Sequence, residues 1–179
     1  MTYGSGVRWE ALFDDMEAQL AAAARSDLRI QVDERTRAER AGVALADRLR
    51  ASAGCHVRLA LRGGATLEGA LLDVASQWFL LGDGGSRRVL VPVDAVGFVA
   101  GLSAHVAPPP GTVERRLTLG HALRALARDR AAVVVLGNGF DVGGRLERVG
   151  EDHVDLTPAT GRGEPLAVAF GAIRAVRSG

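Results

Sequence analysis

Four histidines and one cysteine are the side chains of this 179-residue chain whose chemistry best suits catalysis or metal binding. The histidines are His56, His105, His121 and His153, and their spacing matches no metal-binding motif. Cys55 has no second cysteine with which to form a zinc site. It precedes His56 at the start of a predicted strand, where adjacent side chains point to opposite faces. The sequence therefore predicts no metal site and no cofactor.

Residue groups suited to nucleophilic or acid–base catalysis are not found either. The sequence has no Gly-x-Ser-x-Gly motif. Gly137-Asn138-Gly139 lies between two predicted strands, so we interpret it as a hairpin turn and not as a phosphate-binding loop, which would precede a helix. Within the β-rich part of the chain, adjacent carboxylates occur only at Glu151-Asp152, in a predicted turn where both are solvated. Because no nucleophile, base and orienting group belong together, we predict a protein that is not an enzyme.

Arginine supplies all 22 basic residues and defines the candidate nucleic-acid site. Arg87 and Arg88 lie on a strand that reads as an edge strand, and with Arg62 and Trp78 they could bind an anion or a base. The interpretation we favour is that the two arginines protect the strand edge and that Trp78 lies partly in the core. A predicted middle helix adds four more candidates: Arg115, Arg116, Arg124 and Arg128.

The middle helix has two possible partners on charge grounds. It could follow a phosphate backbone, or it could pair with the acidic start of the N-terminal segment. The formal net charge of the whole chain is only +1, so there is no global electrostatic case for nucleic acid or for a membrane surface.

The pattern of the N-terminal segment, residues 1–53, predicts a long helix over about residues 8–53. Gly42 could mark a bend in it, and Ser26-Asp27 could cap a second helix. Large apolar side chains recur near its start at helical spacing: Trp9, Leu12, Phe13, Met16 and Leu20. The mixed charges of the segment favour a solvated helix face, but a small barrel could not easily cover apolar side chains of this size. We therefore predict that these residues mediate self-association or bind a protein partner.

The rest of the chain contains one β-rich unit twice. Leu61 and Gly69 recur as Leu136 and Gly144 at an offset of 75 residues, and apolar residues later in each unit hold an offset of 77. Five short strands with a sharp bend in the second favour a small closed barrel, since closure removes exposed edges. The predicted fold class is α+β: a long N-terminal helix followed by two tandem five-stranded small β-barrels, each preceded by a helix.

Turn and proline signals divide the chain into five segments. Three consecutive prolines, Pro108 to Pro110, mark a stiff extended linker between the two units. The predicted segments are the helical segment 1–53, the first barrel 54–102, the linker 103–114, a helix at 115–130 and the second barrel 131–179.

The sequence also bears on location. No apolar run approaches the roughly 18 residues that a membrane-spanning helix needs, and the first residues lack a signal-peptide core. A single cysteine makes no internal disulfide. We therefore predict a cytoplasmic protein with no membrane partner.

Both units carry the pattern Gly-x-x-x-x-Gly-x-Leu across their first hairpin, at Gly64, Gly69, Leu71, Gly139, Gly144 and Leu146. With a helix followed by five short strands, this pattern resembles the Sm-like fold, within the wider group of Src-homology-3-like small barrels. That resemblance implies RNA binding through an aspartate and an asparagine after the second glycine, and through a basic residue followed by glycine near the end.

The residues that the Sm-like resemblance requires for RNA binding are missing. The aspartate and asparagine positions hold Ala75 and Phe79 in the first unit, and Gly150 and Val154 in the second. The basic residue and glycine are replaced by Val93-Asp94 and Phe170-Gly171. We keep the expectation of the fold and expect no tight binding to uridine-rich RNA.

The whole chain is also similar to a group of actinobacterial proteins labelled Fis-family transcriptional regulator. That label implies a helix-turn-helix, whereas the C-terminal part of this chain predicts strands. The function we predict is that of a non-catalytic interaction or scaffold protein that uses its N-terminal helix for oligomerisation or partner docking. The alternative is a nucleic-acid-associated transcriptional or RNA regulator that uses the basic middle helix.

Overall fold

The structure, a computed structural model, describes residues 42–159 and 163–178, without the side chains of Val113 and Glu114. The predicted partner-binding residues lie outside the described residues: Trp9, Leu12, Phe13, Met16 and Leu20. So does most of the predicted long helix.

The described end of the predicted N-terminal helix forms only a short helix, α1, at Leu45–Arg50. It begins there because Ala44 is extended, with φ −78° and ψ 152°. It is followed by turns over residues 51–54, and Gly54 has a positive φ of 83°. The prediction of one continuous helix is therefore wrong in this region.

A buried serine fixes the chain after α1. Ser52 is fully buried, and its hydroxyl donates a hydrogen bond to the carbonyl oxygen of Arg48 at 2.8 Å. The hydroxyl oxygen of Ser52 also accepts a hydrogen bond from the backbone N–H of Ser103 at 2.9 Å. The segment after the first β unit is thereby tied to the end of α1, next to the buried side chain of Leu49.

The described chain contains ten β-strands. Those of the first unit are β1 His56–Leu61, β2 Thr66–Val74, β3 Trp78–Gly82, β4 Arg88–Pro92 and β5 Val96–Ala100. Those of the second unit are β6 Ala132–Gly137, β7 Asp141–Val149, β8 His153–Pro158, β9 Leu166–Ala169 and β10 Ile173–Ser178. Two helices, α2 Thr112–Arg116 and α3 Leu119–Arg128, lie between the units.

The ten strands form one open antiparallel sheet, in the order β5-β1-β2-β3-β4-β10-β6-β7-β8-β9. The prediction of two closed barrels is wrong. Closure of the first unit would pair β4 with β5, but β4 pairs instead with β10, placing Leu90 opposite Val176 and Val89 opposite Arg177. The backbone groups at these two edges are thus satisfied by the other unit, so neither edge needs closure within its own unit.

Strand pairing repeats between the two units. The second and third strands of each unit show the same irregularity, between Leu71 and Asp73 in the first and between Leu146 and Arg148 in the second. The first hairpin differs, because its turn is one residue shorter in the second unit. As a result Leu136 is structurally equivalent to Ala60. The predicted equivalence of Leu136 and Leu61 is therefore wrong by one residue.

Two apolar clusters lie against the sheet, and strands β4 and β10 contribute to both. Along β4, Val91 packs in the first cluster and Leu90 in the second. Along β10, Ala175 packs in the first and Val176 in the second. Since successive side chains of a strand point to opposite faces, these two strands are buried on both sides and join the two cores.

The helix α3 covers the second cluster through its buried residues Leu119 and Leu123. Thr118 occupies the N-cap position, but its hydroxyl makes no capping bond. The side-chain oxygen of Gln77, from the turn between β2 and β3, accepts a hydrogen bond from the N–H of Leu119 at 3.2 Å. One unit therefore caps the helix of the other. Within the described part of the chain, no helix is long and apolar enough to cross a membrane.

Candidate interaction edges of the sheet

The sheet ends on strands β5 and β9. Among the residues that the structure describes, no strand pairs with the outer edge of either one. Their sequences are Val-Gly-Phe-Val-Ala and Leu-Ala-Val-Ala, with no charged residue and no proline. Edge strands usually carry charge, proline or a cover that prevents further pairing. Within the described residues, neither of these two strands carries charge or proline or pairs on its outer side.

Each edge strand also exposes a large apolar side chain. Phe98 on β5 is 55% exposed, and Leu166 on β9 is 39% exposed. Their counterparts in the other unit are Ala175, which is fully buried, and Val89, which is half-buried against the first cluster. These two side-chain positions are therefore buried or half-buried where β4 pairs with β10, and exposed on the edge strands β5 and β9.

The chain that follows β5 leads away from its free edge. It turns at Gly101, which has a φ of 89°, a conformation that glycine adopts without strain. The segment then runs beside α1, where the N–H of Ala107 donates a hydrogen bond to the carbonyl oxygen of Asp47 at 3.2 Å. The N–H of Ser103 bonds Ser52, as described above. These contacts hold the linker against α1.

The predicted edge arginines do not lie at an edge. Arg88 begins β4, an inner strand paired on both sides, and Arg87 precedes it. The guanidinium of Arg88 donates hydrogen bonds to the carbonyl oxygens of Gly85 at 2.6 Å and Arg87 at 3.0 Å. The interpretation of these arginines as edge protection is therefore wrong, because β10 covers the edge that they were expected to guard.

Trp78 and Arg88 are the two predicted nucleic-acid residues that the structure brings to one place. They line a mostly apolar groove of about 250 Å³ between α3 and the sheet. The indole N–H of Trp78 donates a hydrogen bond to the carbonyl oxygen of Leu117 at 3.1 Å, and its ring packs against the second cluster. The tryptophan is thus half-buried, with its polar atom satisfied by the protein itself.

The remaining predicted arginines lie apart from this groove. Arg62 lines a cavity of about 160 Å³ near the two hairpin turns, and Arg128 lines another of about 370 Å³ beside β7. Arg124 donates a hydrogen bond to the carbonyl oxygen of Gly150 at 3.2 Å. The side chains of Arg115 and Arg116, on α2, are exposed. The structure therefore places the predicted residues at several separate positions.

Two hydroxyl–imidazole pairs were missed by the sequence reasoning. Ser103 Oγ lies 3.0 Å from His105 Nδ1, and Thr118 Oγ1 lies 2.8 Å from His121 Nδ1. Their only signals in the sequence are the spacings Ser-x-His and Thr-x-x-His. Nucleophilic catalysis also needs a group that orients the base, and within the described residues no carboxylate bonds either imidazole. The geometry is that of local loop and helix-start contacts.

Metal binding finds no support in the part of the chain that the structure describes. No group of three or more His, Cys, Asp or Glu side chains is placed there to hold a metal ion. The nearest approach is His153, whose Nδ1 lies 2.8 Å from Asp152 and whose Nε2 lies 3.9 Å from Asp155.

The hydrogen bond with His153 lowers the pKa of the exposed Asp152 carboxyl below its usual value. Any stabilisation from this contact is present above the ordinary pKa of an aspartate. It is lost as the pH falls through the lowered value.

Comparison with known proteins gives no family. No protein-family model matches the chain, and none of the curated proteins with which it was compared matches it. Function is therefore inferred from the geometry of the described residues: a duplicated β unit, one continuous sheet and two uncharged edge strands.

Proposed function

We propose that this is a non-catalytic interaction or scaffold protein that binds an extended segment of a protein partner by strand addition. The single observation that carries the proposal is that the sheet ends on two uncharged strands, β5 and β9, with Phe98 and Leu166 exposed. In strand addition, backbone hydrogen bonds supply affinity, and the side chains that alternate along the strand supply specificity.

The exposed apolar side chains give strand addition a favourable free energy. Full burial of a phenylalanine side chain is worth about 1.5–3 kcal/mol relative to its exposure. Phe98, at 55% exposure, retains roughly half of that gain for a partner. Cytoplasmic location is part of the same proposal, and the free thiol of Cys55 agrees with a reducing compartment.

A second candidate function, nucleic-acid binding, is favoured by one observation. Arg128, at the end of α3, lines the cavity of about 370 Å³ together with Arg130 and Arg145. Three arginines among the lining residues, beside one acidic residue, Glu147, could receive a phosphate. Binding through them would be weak and steeply dependent on salt, because its free energy would come mainly from counterion release.

Affinity capture from a native extract, with and without nuclease, tests the proposal. The bait is the full-length chain, compared with its Phe98→Asp and Leu166→Asp variants. The matched control is Val106→Asp, because Val106 is 46% exposed and lies outside the strands. We expect the wild type and Val106→Asp to capture the same proteins, with or without nuclease. The amount captured by an edge variant should be about tenfold lower, because the buried charge costs at least about 1.4 kcal/mol.

Two results would speak against the proposal. Equal capture by the wild type and both edge variants would show that β5 and β9 are not the binding surface. Loss of every captured protein after nuclease treatment would favour the nucleic-acid function instead.

A further inference from the structure

We propose that the strand added at each edge comes from a second copy of this chain, so that β9 of one copy pairs with β5 of the next. This inference rests on the proposed function, because it assigns the partner of the same two edges. The same kind of contact already exists within the chain. There β4, the fourth strand of the first unit, pairs with β10, the fifth strand of the second unit. The strands β9 and β5 are the fourth and fifth strands left over.

The burial of equivalent residues supports a second copy as the occupant. Leu90 of β4 is 4% exposed, whereas its counterpart Ala167 of β9 is exposed. Ala175 of β10 is fully buried, whereas its counterpart Phe98 of β5 is 55% exposed. At these two positions the ends of the sheet are exposed where the internal junction is covered.

The internal junction also fixes the register. Leu90 lies opposite Val176 at the junction, so Ala167 of one copy should lie opposite Val99 of the next. By the same equivalence Leu166 meets Ala100. Neither strand carries a charge that the contact would bury.

The contact joins two different surfaces and therefore propagates. Each copy offers one β5 edge and one β9 edge, so every added copy leaves one edge of each kind free. Such head-to-tail association gives a ring if the rotation between copies closes, and an open chain if it does not. Cross-linking between neighbouring copies is expected in a ring and in an open chain alike.

Cysteine cross-linking between two singly substituted full-length proteins tests the pairing. Both carry Cys55→Ser, one with Val99→Cys and the other with Ala167→Cys, and they are mixed under mild oxidation. We expect a disulfide-linked heterodimer in the mixture at about tenfold the yield of homodimer from either protein alone, because directly opposite residues are close enough to bridge.

The matched control is Ala169→Cys, which is exposed and lies two residues along β9 from Ala167. Its distance to position 99 would be diagonal, about 7–8 Å between Cα atoms, so its yield with Val99→Cys should be about tenfold lower. Sedimentation of the unsubstituted protein provides a readout that needs no cysteine. Its mass should rise with concentration, and Phe98→Asp should remain a monomer.

Equal cross-linking by Ala167→Cys and Ala169→Cys, or a monomer at every concentration of the unsubstituted protein, would overturn the inference. If other proteins are still captured in a manner that depends on Phe98 and Leu166, the proposed function stands and only the second copy is ruled out. If edge-dependent capture also fails, the proposed function falls with it.

Discussion

Replacement of Phe79 by alanine should lower the free energy of unfolding by about 3–5 kcal/mol, the largest effect that we expect from one substitution. Phe79 lies on β3, is fully buried and is among the largest of the fully buried side chains in the described chain. It packs in the first apolar cluster, which also takes Leu136 and Ala175 from the second unit. The substitution therefore removes apolar contacts and leaves a cavity at a site that both units share.

Urea unfolding followed by circular dichroism measures this effect. The matched control is Phe98→Ala, the same substitution at a phenylalanine that is 55% exposed on an edge strand. In dilute protein the control should change the free energy of unfolding by no more than about 0.5 kcal/mol. Comparable losses from the two variants would show that the first cluster is not packed around Phe79.

Gly144→Ala should destabilise the protein by about 1–3 kcal/mol or more, the second largest expected effect. A Cβ atom at Gly144 would lie 2.2 Å from the carbonyl oxygen of Thr157 and 2.9 Å from its carbonyl carbon. Both atoms belong to the backbone of the neighbouring strand β8, so a side-chain rotation cannot relieve the clash. A Cβ atom at the equivalent Gly69 would lie 2.5 Å from the carbonyl oxygen of Gly82, also a backbone atom.

The adjacent Gly143 offers a matched control for this substitution. A Cβ atom at Gly143 would meet its nearest neighbour, Cγ2 of Val134, at 3.9 Å, which is an ordinary contact. Gly143→Ala should be neutral or slightly stabilising, since alanine loses less backbone freedom on folding. Thermal unfolding of the two variants compares them directly. Equal melting temperatures would contradict the close approach of β7 and β8 at Gly144.

The strands and their bends could be predicted from the sequence because they depend on local demands. Gly69 and Gly144 were identified from their repeated spacing, and both lie where a second strand passes too close for any side chain. Alternating apolar residues bounded by glycine turns indicate strands without reference to the rest of the chain. The repeat therefore fixed the positions of the strands within each unit, apart from the shorter turn in the second.

The pairing between the two units could not be predicted, because local sequence patterns do not indicate which strand of one unit pairs with which strand of the other. One signal was present in the sequence. Val89, Leu90 and Val91 are consecutive apolar residues, as are Ala175 and Val176, and a continuous apolar run is typical of a strand buried on both faces. Uncharged, mostly apolar runs also occur in β5 and β9, which end the sheet, so this signal alone does not distinguish inner strands from edge strands.

The candidate site depended on that pairing and was therefore missed. Arg87 and Arg88 were expected to protect an edge, but the edge that they flank is covered by β10. The true ends of the sheet, β5 and β9, can be recognised only when the strand order is known. The predicted role of the N-terminal segment stays a prediction, since those residues lie outside the described part of the chain.

Cross-strand nuclear Overhauser effects in the isotope-labelled Phe98→Asp variant test the continuous sheet most directly. The structure requires contacts between β4 and β10, with Leu90 opposite Val176 and Val89 opposite Arg177, at the separations of paired antiparallel strands. We expect these effects and none between β4 and β5. Effects that join β4 to β5, without those between β4 and β10, would show a closed first barrel and contradict the open sheet on which both edges depend.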